Sequence, residues 1–282
     1  MQILYPVKAQ NRKTSNQIAA ELPLGALVDS AWLSARGISR KQQSKLEQLG
    51  IFRRIAHGIY EKAMPSPTGE KADAYSLLLS LQNLHQAEVH LGGERALSTQ
   101  GFGHYLQLGA AAPLTVYADH PPTWARRAPV LPPIQWRKAN LFQDDLGLTD
   151  LSPLQYRIFS PSPKWRLRAS VPERATLELL EELPRNTSFH LADTVFEALT
   201  NVRPRLMSAL LAGCRSVKAK RLFMIYAERH QQAWLKHLSL TAVDFGSGKR
   251  ALVPGGRLEP KYQITLPEDY VSQEEEPDGP GV

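Results

Sequence analysis

The stretch LVDSAWLSARGISRKQQSKLEQLGIFRRIAHGIY, residues 27–60, decides how the front of this 282-residue chain folds. Ser30 is a suitable N-cap for a short helix carrying Trp32 and Leu33, and Gly37 can end that helix in the left-handed conformation other residues resist. Ser39 then caps a second helix over about 40–49, stopped by Gly50, with Ile38, Leu46 and Leu49 as its apolar side. Two short helices joined by a turn containing glycine are the sign of a helix-turn-helix. After them, Ile51-Phe52-Arg53-Arg54-Ile55 and Ile59-Tyr60 flank Ala56-His57-Gly58, which reads as a hairpin with glycine at a turn position, a wing.

Turned at 100° per residue, the second helix presents Arg40, Lys41, Ser44 and Gln48 opposite its apolar side, with Lys45 on the flank and Gln42 misplaced toward the core. Arginine and lysine donate to guanine edges or phosphates, and glutamine pairs with adenine. A recognition helix makes its base contacts mainly from its first turns. Gln43 joins this set, and Arg53, Arg54 and His57 would run along the wing beside the phosphate backbone. The plainer alternative is the solvated face of a small helical domain with no DNA activity.

Composition fits that picture. The net charge is +7, and residues 1–62 hold ten Lys and Arg against four acids, while 268–282 hold six acids and no base. The basic excess is thus densest around the two helices, as an electrostatic footprint for nucleic acid requires. No apolar run is long enough to span a membrane, the first residues lack the order of a secretory signal, and one cysteine, Cys214, rules out an internal disulfide. A reducing cytoplasm is the expected compartment.

Beyond the wing, MPSPTG at 64–69 reads as a linker. A helix is predicted over 70–86 and a short strand at Val89-His90-Leu91. Extended runs follow at Leu114–Tyr117, Ile134–Arg137, Tyr156–Phe159 and Arg166–Ser170. From Pro172 the chain turns helical, with a long helix predicted from Val217 to Leu238. Extended runs at Lys249–Val253 and Lys261–Leu266 close the fold, and 268–282 reads as a disordered acidic tail. The fold class is α+β: a winged helix-turn-helix at 1–63, then a domain at 70–267 divided into a mixed α/β part (70–171) and a helical part with a closing hairpin (172–267).

Enzyme signatures mostly fail. Gly246-Ser247-Gly248-Lys249 lacks the first glycine and the final Ser/Thr of a P-loop, and no dinucleotide site, metal set or cofactor is indicated. His230 and His237 lie seven apart without a completing carboxylate, and Cys214 reads as an inert core thiol. One cluster stands out: Arg215, Lys218, Lys220 and Arg221 crowd a helix start, where cations oppose the macrodipole. Either an external anion sits there or the turn is simply solvated and balanced by acids.

The winged stretch, VHLGGERALSTQGFGHYL (89–106), VPERATLELLEELP (171–184), LTNVRPRLMSALLAGCRSVKAKRLFMIYAERH (199–230), WLKHL (234–238) and DFGSGKRALVPGGRLEPKYQITLP (244–267) together resemble the AbiEi antitoxins of abortive-infection and type IV toxin–antitoxin systems. The resemblance spans about 22–267 and is most specific at the back, while Gln42 and Gln43 depart from the front pattern. It implies a winged helix-turn-helix that represses its own operon at inverted-repeat DNA. It also implies a C-terminal domain that counteracts a cognate nucleotidyltransferase toxin, without catalysis of its own. On that resemblance Arg40, Lys41, Ser44, Lys45, Arg53 and Arg54 match the DNA-binding face. Arg205, Arg215, Lys218, Lys220, Arg221, Lys249 and Arg250 match the antitoxic segments. A monomer that pairs on DNA is expected. The rival expectations are a ligand-responsive winged-helix repressor and a nuclease using Asp144, Asp145 and Lys138.

Overall fold

The computed structural model describes residues 15–64, 71–102, 112–156 and 159–271. Helix α1 (Ser15–Glu21) leads into β1 (Leu27–Asp29), α2 (Ser30–Ala35), α3 (Arg40–Gln48) and the hairpin β2 (Phe52–Ala56) and β3 (Ile59–Lys62). The strands form an antiparallel sheet in the order β1-β3-β2, with Val28 opposite Tyr60 and Arg54 also opposite Tyr60. This is the element order of a winged helix-turn-helix, closed over a small core of Ile18, Leu22, Val28, Leu33, Ile38, Leu46, Phe52 and Tyr60.

Local chemistry explains the two helices. Asp29, not Ser30, caps α2 by accepting from Trp32 N at 3.0 Å; Ser30 is the first helical residue, and its N–H donates to Gly58 O on the wing at 2.9 Å. Gly37 turns the chain at φ +84, in the left-handed region. Ser39 and Gln42 form a reciprocal capping box at the start of α3. That box accounts for Gln42, which is exposed and occupied with the cap rather than turned to the core. Leu49 is 60% exposed and is not part of the apolar side assigned to it.

The rest of the chain supplies β4 (Ala72–Asp73), α4 (Ala74–Asn83), β5 (His90–Leu91), α5 (Gly93–Thr99), β6 (Leu114–Tyr117), α6 (Thr123–Arg127), β7 (Val130–Leu131) and β8 (Ile134–Arg137). It continues with β9 (Leu148–Leu151), α7 (Pro153–Tyr156), β10 (Leu167–Ser170), α8 (Pro172–Glu181), α9 (Phe189–Ala198), α10 (Pro204–Gly213) and α11 (Val217–Arg229). The last strands are β11 (Arg250–Ala251), β12 (Arg257–Glu259) and β13 (Ile264–Leu266). A mixed five-stranded sheet of order β8-β6-β5-β10-β9 is the centre of this part. Helix α8, begun by Pro172 at its first turn, is buried from Glu173 to Leu180 among the sheet and the later helices. No described helix is long and apolar enough to cross a membrane.

Several expectations give way here. Residues 70–171 and 172–267 pack around one continuous core, from Leu77 and Leu91 through Leu177 to Phe223 and Leu266. Tyr156 ends a short helix instead of starting a strand, and Arg157-Ile158 lie outside the described residues. Helix α11 stops at Arg229 and Gln231 takes φ +46, so His230 and His237 do not share a helix; His230 Nε2 lies 2.7 Å from Asp193. The closing strands form a three-stranded sheet, β11-β13-β12, with β11 parallel to β13. Glu268–Tyr270 form a 3-10 turn and Val271 is buried, so the tail begins in packed structure; its remainder, like linker residues 65–69, lies outside the described residues.

The front unit is fastened to the back one. Leu27 N donates to Ser80 Oγ at 2.9 Å, and Trp32 Nε1 donates to Leu84 O at 3.2 Å. The His85 ring stands between Trp32 (6.0 Å) and Trp124 (4.9 Å). Ala26 and Leu27, from β1 and its approach, belong to the larger core.

Candidate functional site

The capping box and one buried amide fix the outward face of α3. Gln43, counted above among the DNA-contacting residues, is 1% exposed, and its Nε2 donates to Ile38 O (3.0 Å), Ser34 Oγ (3.2 Å) and Ser30 O (3.3 Å). It ties α3 to α2 and does not reach a groove. Arg40, Lys41, Ser44, Lys45 and Gln48 are exposed together on the other side of the helix. Arg54 and His57 are exposed on the wing.

Arg53 is corrected as well. Its Nε donates to Glu61 Oε2 at 2.8 Å across the hairpin, because the antiparallel register sets the two residues opposite each other. Glu61 is 6% exposed, and the pair borders a small cavity of about 190 Å³ shared with Met64, Asp73 and Phe159. Arg53 is thus partly buried and engaged by Glu61 beside this cavity, unlike the exposed Arg54.

The basic cluster at α11 also rearranges. Ser216 Oγ accepts from Ala219 N at 3.1 Å and caps the helix. Lys218 Nζ donates to the carbonyls of Leu183 (2.9 Å) and Glu181, satisfying the end of α8. Arg221 is 3% exposed and Lys220 4%, so neither stands at an external anion over the helix start. Arg205, Arg215, Lys249 and Arg250 are the exposed members of the set. The Cys214 thiol is buried, and burial pushes its pKa up to about 11, the condition of an unreactive thiol.

Sequence reasoning missed a buried polar network. Glu178 on α8 accepts from Gly93 N (3.0 Å), Ser170 Oγ (2.9 Å) and Arg174 Nε (3.1 Å), and its carboxylate meets His90 Nε2 at 3.0 Å. The His90 ring stacks on Tyr117 at 5.2 Å. Burial alone would raise the Glu178 carboxyl, but His90, Arg174 and the Gly93 amide outweigh it and hold it below the ordinary carboxylate value. The only advance sign was a set of charged residues, Glu173, Arg174 and Glu178, inside an otherwise apolar helix.

His90 and Arg174 open onto a cleft of about 1610 Å³ between α2 and the back unit, bordered also by Trp32, Arg36, Arg168 and Arg215. Asp144, Asp145 and Asp150 line the same cleft, so its charge is mixed. The nuclease candidates are otherwise engaged: Asp145 pairs with Arg168 at 2.5 Å, and Asp144 accepts from Leu146 N at 3.1 Å. Lys138 is exposed at the end of β8.

With this geometry in place, comparison with known proteins is decisive for the family. A family model described as a transcriptional regulator, AbiEi antitoxin of type IV toxin–antitoxin systems, matches residues 114–267. The model of that family's N-terminal domain matches 11–108. The chain belongs to the AbiEi antitoxin family of transcriptional regulators. The AbiEi N-terminal match runs past the wing through α4, β5 and α5, elements that build the back unit's core. Among solved structures, the RV2827C protein from Mycobacterium tuberculosis shares the fold at TM-score 0.56 and 16% identity, over 89% of this chain and 88% of that one. No match is found among curated proteins.

Proposed function

We propose that this AbiEi protein represses its own operon by docking α3 in the major groove at inverted-repeat DNA, and that its back unit counteracts a cognate nucleotidyltransferase toxin. The observation that carries the first half is the single exposed face of α3. Arg40, Lys41, Ser44, Lys45 and Gln48 point outward together, while Gln43 and the Ser39–Gln42 box hold the helix in place. Arg40 and Lys41 occupy the first turn, from which base edges are reached, and Arg54 and His57 on the wing serve phosphates. Two copies, one on each half-site, follow from the symmetry of an inverted repeat, with the monomer as the free form.

The second half rests on family membership, with the exposed cations Arg205, Arg215, Lys249 and Arg250 as the contributing residues. The test has two arms using the full chain. Titration of the promoter-proximal duplex should show specific binding that Arg40→Ala/Lys41→Ala weakens. Coexpression with the neighbouring toxin should restore growth, and that rescue should survive the α3 double variant. Binding by the double variant equal to that of wild type overturns the DNA reading, and growth that is not restored by the wild-type chain overturns the antitoxin reading.

A further inference from the structure

The loop Phe245-Gly246-Ser247-Gly248-Lys249, which fails as a P-loop, is built around a buried cation. The Arg221 guanidinium on α11 donates to four main-chain carbonyls: Gly248 at 2.8 Å, Phe245 at 2.9 Å, Gln263 at 3.0 Å and Gly246 at 3.2 Å. No carboxylate is among its acceptors in the described residues. At 3% exposure the guanidinium is met by carbonyl dipoles and not by a carboxylate, so part of its positive field extends into the loop above it.

The same contacts orient the backbone. The trans peptides whose Gly246 and Gly248 carbonyls are drawn onto Arg221 turn the N–H groups of Ser247 and Lys249 to the outer side. Gly246 (φ +63) and Gly248 (φ +77) are left-handed, and Ser247 between them is not. Two left-handed glycines in a tight loop let neighbouring N–H groups turn toward a common centre, as in an anion-binding nest. The N–H groups of Ser247, Gly248 and Lys249 have no acceptor among the described residues; Gly246 N alone is taken, by Asp244 Oδ1 at 2.7 Å. Lys249 and Arg250 are exposed beside them with no carboxylate partner among the described residues. The loop also lies against the start of the 13-residue helix α11, where a Cβ on Gly246 would meet the Val217 side chain. The positive end of that helix adds to the field.

We propose that residues 246–250 form a binding site for a phosphate monoester, seated on the amides of Ser247, Gly248 and Lys249 and flanked by the Lys249 and Arg250 side chains. Three convergent donors and two side-chain cations over a buried third suit a tetrahedral dianion better than the single charge of a phosphodiester. The Asp244 carboxylate already holds the Gly246 amide, so that N–H is not among the donors of the site. The site does not depend on the DNA reading, since none of its residues lies on α3 or the wing.

The test is a titration of the full-length protein with inorganic phosphate at constant ionic strength, followed by the amide resonances of Ser247, Gly248 and Lys249. Saturable shifts at those three amides are expected, with affinity falling at least tenfold in Lys249→Ala/Arg250→Ala. The affinity should be unchanged in Arg40→Ala, which separates this site from the α3 face. Adenosine monophosphate should reproduce the shifts and adenosine should not, and a 5′-phosphorylated oligonucleotide should do so where its unphosphorylated twin fails. Absence of saturable shifts in the wild-type protein, or equal affinity in the double variant, overturns the site. Equal shifts with the two oligonucleotides overturn the monoester assignment.

Discussion

The Trp32 indole N–H donates to the Leu84 carbonyl at 3.2 Å, joining the first helix of the helix-turn-helix to the end of α4 in the back unit. The bond crosses the whole linker in sequence, so it reports on whether the two units are held as one body. Trp32→Phe keeps one aromatic ring, trims the indole and removes the donor, leaving a part-buried carbonyl without its partner. The expected cost is about 1 kcal/mol, read as a lower midpoint in chemical unfolding with the slope unchanged. An unaltered midpoint would show that the packing alone holds the junction.

Gln43 and Arg40 lie close together on one helix and should respond in opposite ways. Gln43→Ala removes the amide that serves Ile38 O, Ser34 Oγ and Ser30 O, and should destabilise the fold by roughly 1–3 kcal/mol. Arg40→Ala should leave the unfolding midpoint near wild type and weaken specific DNA binding by about 1–3 kcal/mol. Thermal unfolding and duplex titration on the two variants separate these roles, and a destabilised Arg40→Ala would place that side chain in the fold instead.

The two wing arginines should also diverge. Arg54 is exposed, so Arg54→Ala should lower the salt slope of DNA binding by about one ion. Arg53 is partly buried and bound to Glu61, so Arg53→Ala should leave that slope unchanged. Affinities measured across a salt series decide it, and an equal loss in both variants would return Arg53 to the phosphate face.

Stability should fall in two steps as the pH drops. Burial holds His85 below its ordinary value of 6.5, with Arg36 acting in the same direction and Asp29 and the Leu27 carbonyl against it. A depressed folded-state value means that the unfolded chain takes up the proton first. The His85 contribution is therefore complete above about pH 6.5 and is lost as the pH falls through the folded value. Glu178 is also depressed, so its contribution is present above the unfolded carboxylate value of 4.5 and is lost as the pH falls further. Urea unfolding between pH 8 and pH 2 checks both, and His85→Phe should remove the upper step while sparing the lower.

The order of capping and turn residues was readable because those signals are local. Ser39, Gly37, Gly50 and Gly58 each act within a few residues, and three of the four take the positive φ their positions demand. The sheet order β8-β6-β5-β10-β9 was not readable, since pairing Leu91 with Ala169 depends on contacts far apart in sequence. The misplaced site residues share that cause. Helical angle alone does not show that Gln43 faces α2, that Glu61 stands across from Arg53, or that a loop some 25 residues on offers carbonyls to Arg221. Charge in the sequence marks where cations are, and only the register and the packed loops show which of them remain outside.

Because Ala26 and Leu27 are shared with the larger core, the first sixty-odd residues cannot be exchanged between relatives as a cassette. A graft cut at the linker would carry β1 into a pocket shaped for another sequence, with Leu27 N–H seeking a Ser80 hydroxyl that the recipient need not supply. On the DNA reading proposed above, retargeting to a new promoter would proceed by single changes on the outer face of α3, where Arg40, Lys41, Ser44, Lys45 and Gln48 are all exposed.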